Sequence, residues 1–151
     1  MEHHYTLAGS ADADAVLAMM REYYTFDHLE FRPERARTAL EKVLDDPTLG
    51  SVWMVRKGED VLGYMVVLYG YCLEFGGRIA VLDEFYLRAH HRRRGIGRHA
   101  LAFLEGVCRQ LGIKALRLEV ERSNDSARAL YAKAGFVAHD RDLMTRVLTG
   151  T

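Results

Sequence analysis

The spacing of apolar residues changes period twice along the chain. Val16, Leu17, Met20 and Tyr24 recur at helical spacing behind the helix starters Ser10 and Asp12, which predicts a first helix over about residues 12–24. A short strand, Tyr5 to Leu7, precedes it. Pro33 opens a second helical stretch with Ala36, Ala39, Leu40 and Val43 on one side, ending before Pro47. The link Thr25 to Arg32 is a loop that carries Phe26, His28 and Phe31. The period then becomes that of strands. Ser51 to Arg56 and Val61 to Tyr71 flank the hairpin signal Lys57-Gly58-Glu59-Asp60, and Arg78 to Leu87 continues the meander after Gly76-Gly77. From Ile96 the period is helical again: Ile96, Ala100, Phe103, Leu104, Val107, Cys108 and Leu111 form a stripe that stops at Gly112. Ala115 to Val120 reads as a strand, Asp125 to Ala134 as a short helix, and Phe136 to Leu148 as a closing strand region. This order requires an α/β (α+β) fold, a mixed sheet covered by helices.

Length and composition narrow the picture. A chain of 151 residues, 49% apolar and 28% charged with two prolines, fits one folded domain spanning 1–151. Two cysteines, Cys72 and Cys108, are too few for a disulfide framework or a zinc cluster, so a reduced, cytoplasmic setting is expected, without a metal. No apolar run approaches the ~18 residues of a membrane span, and no signal-type apolar core opens the sequence. Lys plus Arg and Asp plus Glu are 21 each, a balance that disfavours a nucleic-acid partner. Charge is nonetheless uneven. Residues 88–98 hold five arginines and no acid, while Asp83 and Glu84 lie just upstream.

The strongest local feature is Arg92-Arg93-Arg94-Gly95-Ile96-Gly97, between a strand and an amphipathic helix. Backbone N–H groups of residues 93–98 at such a junction can point at an anion, helped by the helix dipole. Gly95 and Gly97 carry no side chains to hold a pyrophosphate away, and arginines including Arg98 can neutralise it from the rim. The segment is neither a Walker loop nor a Rossmann fingerprint.

About 27 residues after Gly97 comes Asn124-Asp125-Ser126-Ala127-Arg128-Ala129-Leu130-Tyr131, then Gly135-Phe136. These two motifs in this order closely resemble the GNAT superfamily of N-acetyltransferases, most sharply over residues 78–137 and in outline over nearly the whole chain. The stretch Leu82 to Leu87 looks like the acidic fourth strand of the superfamily's polyamine and small-amine members. The resemblance implies a mostly antiparallel central sheet with helices on both faces, its fourth and fifth strands splayed around the pantetheine of acetyl-CoA. Arg92, Arg93, Arg94, Gly95, Ile96, Gly97 and Arg98 would then bind coenzyme A. It also implies direct attack by an amine within a ternary complex. A bulge in the fourth strand would turn a backbone N–H toward the thioester oxygen, that of Phe85, Tyr86 or Leu87, with Leu87 favoured. Tyr131 would donate a proton to the leaving sulfur, as a phenol of ordinary pKa near 10 remains protonated at neutral pH. Asp83 is expected as base, directly or through water, and Glu84 as amine ligand, with the roles exchangeable. Asn124 would cap its helix or bond the pantetheine; Arg128 would reach the CoA phosphate or face solvent.

Aromatic and acidic residues beside that strand would suit an ammonium acceptor through cation–π and charge attraction. Tyr23, Tyr24, Phe26, Phe31, Tyr69, Tyr71, Glu74 and Phe85 are the candidate lining. Cys108, Trp53 and Met54 read as core, and His90 and His91 as a solvated loop. The expected activity is transfer of acetyl from acetyl-CoA to a primary amine of a small cationic or amino-acid-like molecule. Competing readings are acetylation of a protein N-terminus or lysine, and a silent acyl-CoA-binding regulatory domain. Homodimerisation is common in the resembled family, and the C-terminal strand or exposed aromatics offer a surface for it.

Overall fold

Alternating apolar residues in the central stretch assemble a five-stranded sheet in the computed structural model, which describes residues 2–150. Strands β1 (His3–Leu7), β2 (Gly50–Lys57), β3 (Asp60–Cys72), β4 (Gly77–Leu87) and β5 (Ala115–Leu118) lie side by side in chain order. The first four pair antiparallel, each through a neighbour in sequence. β5 pairs parallel with β4, from Ile79 opposite Ala115 to Leu82 opposite Leu118, because helix α3 (Ile96–Gln110) carries the chain back between them.

Helices α1 (Ala13–Phe26) and α2 (Pro33–Asp45) cover one face. Their apolar sides meet Val52, Met54, Tyr64, Val66 and Tyr86 through Val16, Met19, Met20 and Leu40. On the opposite face, α3 buries Ile96, Ala100, Leu101, Leu104 and Cys108 against Met65, Val67, Ala80 and Leu82. Leu130 and Tyr131 of helix α4 (Asp125–Lys133) pack on the edge of that second core. Met54 and Cys108 are core, as their spacing predicts, and Trp53 is partly buried with its ring edge-on to Phe103.

Three departures from the sequence reading bear on the site. α1 continues to Phe26, so that residue sits on the last turn of a helix rather than in a loop. β5 ends at Leu118 instead of Val120, leaving β4 beyond Leu82 without a parallel partner. The closing strand expected over 136–148 is absent from the described residues: the chain beyond Phe136 forms no ladder, and Leu143, Met144, Val147 and Leu148 are exposed. A strand pattern specifies which faces are apolar, but a strand forms only where a second edge is within reach.

Candidate active site

The loop after β4 turns on two left-handed residues, Arg93 at φ 61° and Gly95 at φ 79°. Successive N–H groups around such a curl face one concavity. Gly95 caps α3 without a side-chain bond, and the first helical bond runs from the His99 N–H to the Gly95 carbonyl at 3.1 Å. The N–H groups of Ile96, Gly97 and Arg98 therefore have no partner within the helix. A Cβ on Gly95 would meet nothing within 4 Å, so the space above it is free for a ligand. Gly97 serves differently from expectation. A Cβ there would stand 3.1 Å from Leu130 Cδ2, so its missing side chain lets α3 pack against α4 rather than opening the loop to an anion.

The arginines divide. Arg93, Arg94 and Arg98 are exposed on the rim, where an anion can meet them. Arg92, expected among the phosphate ligands, folds the other way. Its Nε donates to the Leu87 carbonyl at 2.8 Å, and its guanidinium lies 4.2 Å over the Phe26 ring and 5.3 Å from the Tyr86 ring. It ties the end of α1 to the end of β4.

The fourth strand does carry a bulge, but ahead of the expected stretch. Val67 faces Leu82 and Val66 faces Glu84, so Asp83 is the extra residue. Beyond it, the Arg88 N–H donates to the Leu62 carbonyl on the β3 side, whereas the Leu87 carbonyl is taken by Arg92. By strand alternation Tyr86 then turns its N–H toward β3, and Phe85 and Leu87 turn theirs into the open gap beyond β5. Tyr86 is thereby removed as a donor into that gap.

The bulge also brings two adjacent carboxyls into one cleft. Glu84 accepts from the Tyr24 hydroxyl at 2.5 Å and from the Tyr64 hydroxyl at 2.7 Å, so α1 and β3 both fix it. Burial pushes the Glu84 carboxyl above its ordinary value; the two phenol bonds oppose that shift and the neighbouring Asp83 charge adds to it. Asp83 is open to solvent and accepts no hydrogen bond among the described residues, yet desolvation raises it too. Tyr24 is raised by burial first and then by Glu84 and Asp83, and Tyr23 by burial first, then by Asp27, and only after it by the same two carboxylates. Tyr23 also lies near enough to feel Tyr131, whose own phenol is raised by burial. The Tyr131 ring sits edge-on to Phe136 at 5.9 Å and packs in the cluster that holds Phe85 and Leu87.

Other expected site residues lie elsewhere. Tyr71 faces Arg78 at the opposite end of β4, roughly 16 Å along the strand from Asp83, and is 71% exposed. Tyr69 and Glu74 share that end, under Arg78 and paired with Arg117 respectively. Phe31 stands edge-on to Tyr24 at 5.5 Å and so backs the cleft. Asn124 caps α4, accepting from the Ala127 N–H at 3.1 Å, and Arg128 donates to the Arg122 carbonyl at 3.0 Å. Sequence reasoning overlooked Tyr64, whose even spacing from Val66 places it on the Glu84 face of β3. It also overlooked Glu22, which accepts from Tyr86 and pairs with Arg88 beside an open depression of about 480 Å³. Among the described residues no helix is long and apolar enough to cross a membrane, and no group of three His, Cys, Asp or Glu side chains could hold a metal.

A desolvated acid pair within an aromatic wall attracts an ammonium and holds a base nearer neutrality than a free carboxylate. Strand N–H groups facing a gap can receive a carbonyl oxygen, and a buried phenol can give up a proton. Comparison with known proteins bears on the family and the fold. The acetyltransferase (GNAT) family model matches residues 15–136. The D-amino-acid N-acetyltransferase HPA3 of Saccharomyces cerevisiae is 23% identical over 83% of this chain and 79% of its own length. An integron cassette protein from the mobile metagenome of Cole Harbour salt marsh is 28% identical, with a TM-score of 0.86 over 97% of this chain and 91% of its own. A predicted acetyltransferase from Clostridium acetobutylicum, solved with acetyl-CoA, has a TM-score of 0.81 at 16% identity, covering 96% of each chain.

Proposed function

The chain belongs to the acetyltransferase (GNAT) family, and from that premise we propose that it transfers the acetyl group of acetyl-CoA to a primary amine of a small cationic or amino-acid-like acceptor. The observation that carries this reading is the acid pair at the β4 bulge. Asp83 and the tyrosine-held Glu84 stand in one cleft with Tyr23 and Tyr24, beside the gap bordered by Tyr131. The yeast relative's action on D-amino acids supports an amino-acid-like acceptor.

The residues present suit acetyl-CoA. The curl at Arg93–Gly95, the free N–H groups opening α3 and the rim arginines Arg93, Arg94 and Arg98 would hold the pyrophosphate. The unpaired edge of β4 at Phe85 and Leu87 would bond the pantetheine amides as a neighbouring strand would. When bound, the cofactor supplies an activated acetyl thioester.

The protein's own groups would then act in sequence. Glu84 and the aromatic wall hold the acceptor as its ammonium, and Asp83 removes a proton directly or through water. The freed nitrogen would attack the acetyl carbon, forming the C–N bond as the C–S bond breaks, and would lose its second proton to water. The Leu87 N–H, with Phe85 as its neighbour on the same edge, receives the charge developing on the acetyl oxygen. Tyr131 passes its hydroxyl proton to the departing sulfur and regains one from solvent. Burial raises this phenol, which keeps it in the protonated form that a general acid needs.

The test is thiol release from acetyl-CoA across polyamines, amino acids of both configurations, aminoglycosides and short peptides. Strong acceleration by one cationic or zwitterionic small amine, lost in Glu84→Gln, is the expected result. Binding of acetyl-CoA by calorimetry without acceleration by any acceptor would overturn the catalytic reading.

A further inference from the structure

Opposite charges stand at the two ends of one aromatic wall. Asp83 and Glu84 hold one end, at the β4 bulge. Arg92 holds the other, its guanidinium 4.2 Å from the centre of the Phe26 ring and 5.3 Å from that of Tyr86. Neighbouring rings connect the two ends. Tyr86 lies 5.8 Å from Tyr23, and Tyr23 stands edge-on at 5.6 Å to Tyr24, whose hydroxyl donates to Glu84.

Arg92 is not neutralised by those acids. Its bond from Nε to the Leu87 carbonyl is its one hydrogen bond among the described residues, and no carboxylate among them pairs with it. Arg88, four positions earlier, is by contrast paired with Glu22. The two terminal amino groups of Arg92 therefore have no acceptor within the described chain. No buried side-chain nitrogen lacks a partner among the described residues, so these amino groups reach solvent, although the residue as a whole is half-buried. The terminal fork of a guanidinium matches the two oxygens of a carboxylate. Shelter from water between Phe26 and Tyr86 strengthens that attraction over what the exposed rim arginines offer.

Resting on the acetylation reading above, we infer that Arg92 is the carboxylate-binding residue of the acceptor site: its terminal amino groups hold the carboxylate of an amino acid whose ammonium group sits at Asp83 and Glu84. The acceptor lies along Tyr86 and Tyr23. An amine without a carboxylate leaves the fork unpaired, so amino acids are selected over the amines that their decarboxylation would give. The hold of Nε on Leu87 is kept, because it uses a different donor. Arg21 is a second cation near this wall, but it is exposed and lies 4.7 Å over Phe31, behind Tyr24.

Matched acceptors test the inference: lysine against cadaverine, ornithine against putrescine, and 4-aminobutyrate against propylamine. Each is titrated by calorimetry into protein saturated with coenzyme A, and assayed separately for thiol release from acetyl-CoA. In at least one pair the carboxylate member should bind about tenfold tighter and show a correspondingly lower KM, and Arg92→Gln should bring that pair within about threefold. Arg92→Lys, which keeps the charge without the fork, should retain part of the preference, and Arg21→Gln all of it. Any loss of kcat through the Leu87 backbone strikes both members of a pair alike and cancels in their ratio. Equal binding within every pair, no binding of any carboxylate member, or a preference that survives Arg92→Gln while coenzyme A affinity is retained overturns the inference. Thiol release from amino acids and plain amines alike overturns it too, and leaves the acetylation reading standing. The carboxylate preference in binding without any thiol release upholds the role of Arg92 and overturns the acetylation reading instead.

Discussion

In the proposed reaction Tyr131 and Asp83 have opposite tasks, one giving a proton and the other taking one, and desolvation raises both groups. Tyr131→Phe removes one oxygen and leaves the ring packing against Phe136. Turnover should fall by about 10²-fold or more, the usual worth of a positioned acid, while calorimetric affinity for acetyl-CoA stays within about twofold. Equal turnover would leave the proton to solvent. Asp83 yields a prediction about stability rather than rate. Its carboxyl is raised in the folded state by desolvation, whereas in the unfolded chain it ionises near 3.9. As pH rises through that window the unfolded state releases its proton first and binds fewer protons than the native state, so stability falls. Above the folded value the loss is complete. Asp83→Asn removes this contribution, and its unfolding free energy in urea should drop less than the wild type's between pH 4 and pH 7. Glu84 is raised in the same direction but is held by Tyr24 and Tyr64, so Glu84→Gln also weakens two bonds to a charged acceptor and is the poorer probe of the sign.

The strand and helix that meet at the phosphate loop show what the sequence could and could not reveal. Period, turn residues and helix starters predict every strand and α-helix through α4 to within a few residues, because those signals are local, but not the short 3-10 turns at Ser10–Asp12 and Ala89–His91. The loop was legible for the same reason: Gly95 needs a left-handed backbone at φ 79°, and a glycine between arginines at a strand–helix junction announces it. Gly97 was misread, since its purpose is the 3.1 Å approach of Leu130, a contact between elements far apart in sequence. The bulge at Asp83 was likewise set by register against β3, which composition does not encode. Tyr71 and Tyr64 illustrate the cost. Both are aromatic β3 residues, and only the pairing places Tyr64 on Glu84 and Tyr71 at the far end. The closing strand was read from a real apolar pattern, but the segment after Phe136 pairs with no edge among the described residues. At this scale Gly95→Ala discriminates backbone from side-chain effects. With open space around the new methyl, its cost to folding should be the left-handed strain alone, about 1–2 kcal/mol by urea unfolding. Affinity for acetyl-CoA should fall as well, because the methyl would occupy the space the pyrophosphate needs. Unchanged affinity by calorimetry would move the anion away from this loop.

Across the whole molecule the sheet separates two cores, and the proposed reaction draws on both. The acceptor wall belongs to α1 and the face of Glu84, while the phosphate loop leads into α3 on the opposite face. Arg92 spans the two. It covers Phe26 on the last turn of α1, touches Tyr86, and fixes the Leu87 carbonyl, so the same guanidinium orients the backbone whose N–H is proposed to receive the acetyl oxygen. A positioning role and a phosphate-binding role make different demands on this side chain. Lysine keeps the charge but lacks the planar guanidinium and the Nε that reaches Leu87. If Arg92 were chiefly a counter-charge, Arg92→Lys would leave kcat near the wild-type value and change mainly the affinity for acetyl-CoA. The geometry predicts the reverse. With Arg93, Arg94 and Arg98 still on the rim, the Kd for acetyl-CoA should stay within about threefold. The loss of one charge-assisted bond, roughly 1.5 kcal/mol, should lower kcat by about tenfold. Steady-state kinetics beside calorimetry on the same variant separates the two. A raised Kd with kcat intact would return Arg92 to the phosphate site and leave the Leu87 backbone to be oriented by the ladder to β3 alone.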